Sequence, residues 1–200
     1  MSLNFLPRIE EIVRKAQYFD SSEAFISKFE PAWSSVRTRI LKLETLDFYD
    51  EGDNQSLKAF LDGDIEKSKK LISQEKQGDA PIYQDLKKRW VEIIRCRPIA
   101  APPNEYLKWE IENYKENIKL GERIFIANMI AVTEIFERYA TKDFMVFDTR
   151  FGYIYDYDKN GRLLGGWYVE DVQELYQMSA LFSFIQSNCV RFESVYSNGD

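Results

Sequence analysis

The chain has 200 residues, 44% of them hydrophobic, and a net charge of −6 with no histidine. The absence of histidine excludes Ser-His-Asp and Cys-His nucleophile pairs, His-containing zinc sites and the usual general base near neutral pH. Two cysteines are too few for a disulfide framework or for a zinc site made only of thiolates.

The sequence favours a cytoplasmic protein without membrane association. No apolar run approaches the roughly 20 residues that a membrane span requires. Residues 1–8 lack the apolar segment of a signal peptide. We therefore expect a cytoplasmic location and no membrane partner.

Charge is distributed unevenly along the chain. Residues 1–100 contain 17 basic and 17 acidic residues, whereas residues 101–200 contain 10 basic and 16 acidic residues. The acidic second half disfavours a broad nucleic-acid-binding surface. One small basic cluster remains, which we interpret as a solvated helix end followed by a strand edge; its members are Lys87, Lys88, Arg89, Arg95 and Arg97.

The first 80 residues are predicted to form a helical annex packed on an α/β core domain of residues 81–200. Apolar residues recur at helical spacing in residues 7–19 and 33–43, although the second segment could bend into a strand near Leu43. Further helices are expected over residues 57–61, 65–77 and 82–88, with a break at residues 78–81.

The core is predicted from the pattern of residues 87–192. A strand (89–97), a helix (103–120) and a strand (122–128) form a crossover of the length that usually joins parallel strands. There follow a helix (130–139), a strand (143–148), a hairpin (151–157 and 163–168) and a closing helix (170–192). We therefore predict an α/β fold in which helices flank a mixed sheet with parallel core strands and an antiparallel hairpin.

Two short motifs support this assignment. The uninterrupted apolar run Phe144-Met145-Val146-Phe147 indicates a strand that is buried on both faces. Asn160-Gly161 between two alternating segments is the strongest short signal for a hairpin turn.

Polar and aromatic residues on one face of the 103–120 helix predict a ligand pocket near the strand ends, where ligands bind in open α/β sheets. Arg97 ends the preceding strand and is the nearest cation that could pair with Glu110. The alternative is that the aromatic residues are core and that this ion pair is structural. The predicted ligand-binding residues are Arg97, Tyr106, Trp109, Glu110, Asn117 and Asp148.

Three acidic residues, Glu122, Asp143 and Asp148, could gather at neighbouring strand ends as a metal site. Nothing in their spacing demands a metal, and the pattern favours turn or capping roles. We therefore predict no metal, no cofactor and no catalytic residue.

Several segments, in their order and spacing, resemble a bacterial family known only as domain of unknown function 6879, whose members are often encoded beside helix-turn-helix regulators. The resemblance covers about residues 35–192. It lies in Leu43-Glu44, Tyr49, residues 57–63, residues 95–98, Tyr106-x-x-Trp109-Glu110, Tyr114-x-x-Asn117-x-x-x-Gly121-Glu122 and residues 143–148.

That family is in turn similar to half of a phospholipase-D-type domain, whose active members carry His-x-Lys followed by Asp. If Asp148 takes the position of that Asp, Thr141 stands where the His is required and Asp143 where the Lys is required. The resemblance therefore implies the fold, and the missing His and Lys argue against the activity.

From these observations we predict a non-enzymatic binding or regulatory module of a bacterial regulatory or defence system, acting through a protein partner or a small ligand. Two alternatives stay open. One is a carboxylate- and metal-dependent phosphodiesterase or nuclease that uses Glu110, Asp143 and Asp148. The other is a structural subunit that uses its aromatic residues as an interface.

Overall fold

The computed structural model describes residues 6–196; residues 1–5, where the segment considered for a signal peptide begins, and residues 197–200 lie outside the described part. The strands are β1 (Gln17–Phe19), β2 (Arg39–Leu43), β3 (Glu92–Ile99), β4 (Arg123–Asn128), β5 (Phe144–Phe147), β6 (Phe151–Tyr157), β7 (Leu163–Val169) and β8 (Val190–Arg191). The helices are α1 (Ile9–Val13), α2 (Ser22–Ile26), α3 (Phe29–Ser35), α4 (Gln55–Leu61), α5 (Ile65–Lys88), α6 (Glu105–Leu120), α7 (Met129–Tyr139), α8 (Val172–Gln186) and α9 (Phe192–Val195).

The strands form one mixed sheet in the order β1-β7-β6-β5-β2-β3-β4-β8. The central strands β2, β3 and β4 are parallel, and all other neighbouring strands are antiparallel. The predicted α/β fold, the parallel crossover through α6 and the antiparallel hairpin of β6 and β7 are therefore confirmed.

The sheet buries apolar side chains on both faces. On one face, alternate residues such as Leu41, Cys96 and Phe144 pack with α8 in a single large cluster. The opposite face carries two separate apolar clusters, one around Phe147 and one beneath α6. Charged side chains lie between these two clusters, and they form the site described below.

The predicted helix over residues 33–43 was wrong in its second half. Helix α3 ends at Ser35, and Arg39–Leu43 forms β2 between β3 and β5. The apolar spacing of this segment fits either structure. Because Ile40 and Leu41 point to opposite faces that are both covered, burial in the sheet outweighs the helical pattern.

The predicted break at residues 78–81 was also wrong. Helix α5 is continuous with Pro81 inside it, and the predicted annex boundary at residue 80 falls within this helix. Pro81 removes a helical hydrogen bond. Ile72 and Leu86 are buried on either side of Pro81, so packing anchors both halves of the helix.

Other boundaries shifted at the ends of elements. The expected 7–19 helix ends at Val13, and its last residues form β1, which pairs with β7. The helix predicted to begin at Pro103 begins at Glu105, because the side chain of Asn104 caps it. The closing helix ends at Gln186 and is followed by β8 and α9. Within residues 6–196 no helix has both the length and the apolar character to cross a membrane.

Candidate functional site

A cavity of about 330 Å³ lies between the sheet and helices α5 and α6. On the sheet side it faces a charged band, the group of charged side chains Lys42, Glu44, Arg95 and Arg97. It lies at the carboxyl end of β2 and beside Arg95 in the middle of β3. Its wall is formed by Lys42, Leu43, Glu44, Tyr49, Asp50, Glu51, Lys76, Arg95, Tyr106, Glu110, Asn113, Tyr114, Asn117, Asp143, Tyr155, Tyr157, Gly161 and Leu163.

Arg95 is the central cation of the band. It donates to both carboxylate oxygens of Glu122, with Nε to Oε1 at 2.6 Å and Nη2 to Oε2 at 3.2 Å. Its Nη1 donates to Glu44 Oε1 at 2.6 Å. Lys42 forms a second ion pair with Glu44, and the Tyr114 hydroxyl donates to Glu44 Oε2 at 3.0 Å. This buried network gives every charge in it an opposite partner, as burial requires.

The loop after β2 brings Tyr49 and Asp143 to the same wall. The Tyr49 hydroxyl donates to Asp143 Oδ2, and Asp143 Oδ1 accepts from the backbone and hydroxyl of Thr45. The hairpin turn holds this loop, because Asp50 N donates to Gly161 O at 3.0 Å. A Cβ at Gly161 would lie 2.7 Å from Phe48 O, so a larger residue would displace the loop.

Helix α6 supplies the opposite wall. The Tyr106 hydroxyl donates to Glu51 Oε1 at 2.7 Å. Asn117 is only 3% exposed, and its Oδ1 has no hydrogen-bond partner among the described residues. Glu110 is half-buried on the same face and forms no ion pair within 4 Å in residues 6–196. The helix thus presents two acceptors to the cavity: Asn117 Oδ1, which lacks a donor among the described residues, and the Glu110 carboxylate, which lies beside the Tyr114 hydroxyl.

The carboxyl groups of the cavity differ in acidity. Burial acts to raise the pKa of Glu44, but Arg95, Lys42 and Arg97 outweigh it and hold that pKa well below 4.5. Burial and the negative charge of Glu44 raise the pKa of Glu110. Burial also raises the pKa of Asp143, although hydrogen bonds from Thr45 and Tyr49 oppose this. Glu44 is therefore the most acidic of these three carboxyl groups, and Glu110 and Asp143 are less acidic.

The structure brings three of the predicted ligand-binding residues to the cavity: Tyr106, Glu110 and Asn117. Trp109 points elsewhere, because its Nε1 donates to Ser56 Oγ at 3.2 Å. Arg97 is completely buried and donates to the Tyr49 hydroxyl at 3.2 Å, so it lies behind the cavity wall. The binding roles of these residues remain predictions.

Asp148 lies at the opposite end of the sheet. It follows β5, whereas Asp143 precedes it, so the two are separated by roughly 15 Å of extended chain. Its carboxylate accepts hydrogen bonds from the backbone of residues 37–39 and from the Thr38 hydroxyl at 2.6–3.0 Å. Asp148 therefore joins β5 to the start of β2 and does not reach the cavity.

The expected ion pair between Arg97 and Glu110 is not formed, because no nitrogen of Arg97 lies within 4 Å of the Glu110 carboxylate among the described residues. The two charges still interact: the negative charge of Glu110 contributes to raising the pKa of Arg97. Arg97 Nε and Nη2 are buried and have no hydrogen-bond partner among the described residues.

Sequence reasoning missed the contribution of the strands. Arg95 and Arg97 were interpreted as part of a strand edge, but β3 is a central strand and both residues are buried. Because residues 33–43 were interpreted as a helix, Lys42 and the following Glu44 were not predicted to face the cavity. The available signal was a pair of charged residues two positions apart in each segment, Lys42 with Glu44 and Arg95 with Arg97. In a strand this spacing places both members of a pair on one face of the sheet.

The acidic residues considered as a metal site are separated from one another. Glu122 pairs with Arg95, Asp143 accepts from Tyr49, and Asp148 lies at the far end of β5. In the described part of the chain, no group of three or more His, Cys, Asp or Glu residues is arranged to hold a metal ion.

Comparison with known families identifies the chain. Residues 27–196 match the family described as Domain of unknown function (DUF6879), and the chain belongs to this family. A comparison with curated proteins gave no match.

Proposed function

We propose that this member of the DUF6879 family is a binding module that holds a small polar ligand in the cavity between the sheet and α6. The observation that carries the proposal is the unpartnered Oδ1 of Asn117 in the cavity wall. A buried acceptor without a donor costs about 1–3 kcal/mol, and folded proteins retain few of them. A ligand that donates a hydrogen bond to Asn117 would remove this cost.

The position and size of the cavity also support the proposal. Its volume of about 330 Å³ is within the range of small-molecule pockets. It lies at the carboxyl end of the parallel strand β2, and open α/β sheets bind their ligands at the carboxyl ends of strands. Both walls are built on helices, strands and a loop that is held by hydrogen bonds. This favours a site that is formed before the ligand arrives.

We extend the proposal to a non-enzymatic module of phospholipase-D-like ancestry that acts in bacterial regulation or defence within the cytoplasm. Support comes from the sequence: there is no histidine, and if Asp148 takes the position of the catalytic Asp, Thr141 and Asp143 stand where the catalytic His and Lys are required. The carboxylate of Asp143 accepts bonds from Thr45 and Tyr49, a role that holds the loop. The alternative of a metal-dependent phosphodiesterase is weaker, because Asp148 does not converge with Glu110 and Asp143.

A second candidate, an interaction subunit, is favoured by Trp90. This residue is 90% exposed and adopts a φ of 59°, a conformation that suits glycine. A large exposed aromatic side chain on a strained backbone is typical of residues that anchor an interface. If a protein partner contacts Trp90, Trp90→Gly will abolish capture of that partner without unfolding the domain.

The test of ligand binding compares the wild-type chain with Asn117→Leu. Leucine has a similar shape and removes the unpaired acceptor, so the variant is expected to fold with equal or greater stability. A panel of small amines, amides, sugars and carboxylates is screened by thermal shift, and responders are measured by calorimetry. We expect at least one class to raise the Tm of the wild type and not that of the variant.

Asn188→Leu is the control, because Asn188 is exposed and bonds to Phe184 O at the end of α8, outside the cavity. It should respond as the wild type does. If every compound that stabilises the wild type also stabilises Asn117→Leu, or if no compound stabilises either, the cavity is not the binding site that we propose.

A further inference from the structure

We infer that the cavity selects an organic cation, a compound bearing a primary ammonium or guanidinium group. This inference rests on the proposed function, since it assigns the chemical class of the ligand to the same cavity. It follows from the charge of the wall, from which hydrogen-bonding groups the protein has already paired, and from the tyrosine rings.

The wall of the cavity has more acidic than basic residues. The acidic ones are Glu44, Asp50, Glu51, Glu110 and Asp143, and the basic ones are Lys42, Lys76 and Arg95. Behind this wall, Arg97 and Glu122 carry opposite charges that cancel, and Asp79 beside Lys76 adds one more negative charge. An added anion would therefore meet an unfavourable field, whereas an added cation would meet a favourable one.

The basic groups of the wall already face protein carboxylates. Arg95 is bonded to Glu122 and Glu44, and Lys42 is also paired with Glu44 at 2.8 Å. Lys76 lies 3.5 Å from Asp79. An incoming carboxylate or phosphate would have to compete with these protein carboxylates for the donors of Arg95, Lys42 and Lys76.

Three tyrosine hydroxyls of the wall also donate their protons to protein carboxylates. Tyr49 donates to Asp143, Tyr106 to Glu51 and Tyr114 to Glu44. Each hydroxyl has one proton, so these three can offer only lone pairs to a ligand. These three hydroxyls therefore add acceptors to the wall, whereas the Tyr157 hydroxyl, which has no hydrogen-bond partner among the described residues, remains a donor.

Helix α6 contributes two further acceptors to the cavity wall. Asn117 Oδ1 is buried without a donor, and the half-buried Glu110 has no ion pair within 4 Å in residues 6–196. The free donors of Arg97 do not alter this balance, because Arg97 is not part of the wall and is completely buried. Ammonium and guanidinium groups have only donors, and they match such a surface.

Aromatic rings complete the match. Tyr49 and Tyr157 meet edge to face with centroids 5.3 Å apart, and Tyr49 and Tyr106 lie 6.3 Å apart. Tyrosine faces attract organic cations, as in the aromatic cages that bind substituted ammonium groups. Rings and carboxylates in one cavity provide both kinds of contact.

The test uses three probes that share a chain of four methylene groups and differ in charge: putrescine, 1,4-butanediol and adipate. Each is titrated into the full chain by calorimetry and thermal shift at constant ionic strength. We expect putrescine to bind and to raise the Tm, and the diol and the diacid to have no effect. Agmatine, which has a guanidinium group in place of one ammonium group, should bind at least as tightly as putrescine.

Glu110→Gln should weaken putrescine binding about tenfold or more, because a charge-assisted hydrogen bond is replaced by a neutral one. The control is Glu105→Gln on the same helix, since the side chain of Glu105 is 64% exposed and paired with Lys108. It should leave the affinity unchanged. Circular dichroism confirms that both variants are folded.

The outcomes separate this inference from the proposed function. Binding of adipate that is lost in Asn117→Leu would overturn the cation assignment and leave the binding function standing. Binding of putrescine that is equal in Glu110→Gln and the wild type would also overturn the assignment, because the cation would then bind elsewhere. If the broader panel and all the probes leave the wild type unchanged, both proposals fail.

Discussion

Arg95 on β3 and Glu122 before β4 form a buried two-point ion pair, with donor–acceptor distances of 2.6 and 3.2 Å. Both side chains are withdrawn from solvent. Removing one charge of such a pair leaves the other uncompensated in the interior, which typically costs about 3–5 kcal/mol. Glu122→Gln should therefore lower the free energy of unfolding by about 3 kcal/mol, measured in urea.

The matched control for this prediction is Glu92→Gln. Glu92 pairs with Arg123 at 2.8 Å on the exposed surface, where an ion pair contributes about 1 kcal/mol or less. Equal losses of stability in the two variants would show that the Arg95–Glu122 pair is not buried in solution.

Glu44 and Glu110 should respond to pH in opposite directions. Glu44 has a lowered pKa in the folded state, so its ionised form stabilises the fold above pH 4.5, and this contribution is lost as the pH falls through the folded pKa. Glu44→Gln should cost about 3 kcal/mol near pH 8 and less in acid. The measurement is urea unfolding across the pH range.

Glu110 has a raised pKa, because burial and Glu44 disfavour its charge. The folded state then holds the proton more tightly than the unfolded chain, so stability falls as the pH rises from 4.5 through the folded pKa. Glu110→Gln should be more stable than the wild type near pH 8, with the difference shrinking in acid. A loss of stability near pH 8 would indicate a structural ion pair for Glu110.

Phe147 closes the apolar cluster beneath α2 and α3. It is completely buried, and its ring meets those of Trp33 and Tyr153 edge to face at 5.1 and 5.6 Å. Phe147→Ala should cost about 3–5 kcal/mol in denaturant unfolding, the usual range for emptying a buried aromatic site. Phe48→Ala is the control, because Phe48 is 47% exposed, and it should cost clearly less.

Trp90 terminates α5 in a left-handed conformation. Val91 N donates to Leu86 O at 2.9 Å and Trp90 N to Lys87 O at 3.1 Å, an arrangement that usually has glycine in the place of Trp90. A residue with a Cβ pays about 1 kcal/mol or more for this conformation. Trp90→Gly should therefore raise the free energy of unfolding by about 1 kcal/mol.

Trp90→Ala separates the backbone effect from the loss of the ring. Alanine keeps the Cβ and thus the strain, so its stability should stay close to that of the wild type. An equal gain for both variants would trace the effect to the exposed ring instead of the backbone.

The local sequence pattern was sufficient to predict part of the fold and part of the site. The apolar run of β5 and the Asn160-Gly161 turn each depend on residues adjacent in sequence, and both predictions were confirmed. The face of α6 that carries Tyr106, Glu110 and Asn117 follows from helical spacing alone, and the structure places these residues in one cavity wall. Nothing in that spacing separates them from Trp109, whose ring turns towards Ser56 of α4.

The sequence by itself determined the α/β class, the parallel crossover and the excluded histidine chemistry, because composition and periodicity are properties of single residues and short segments. Only the tertiary structure decided that residues 39–43 form a central strand and that Arg95 and Arg97 are buried. Arg95 finds its carboxylates at positions 27 and 51 residues away, in Glu122 and Glu44. A buried charge is tolerated only where such distant partners converge, and their convergence depends on the order of the strands in the sheet.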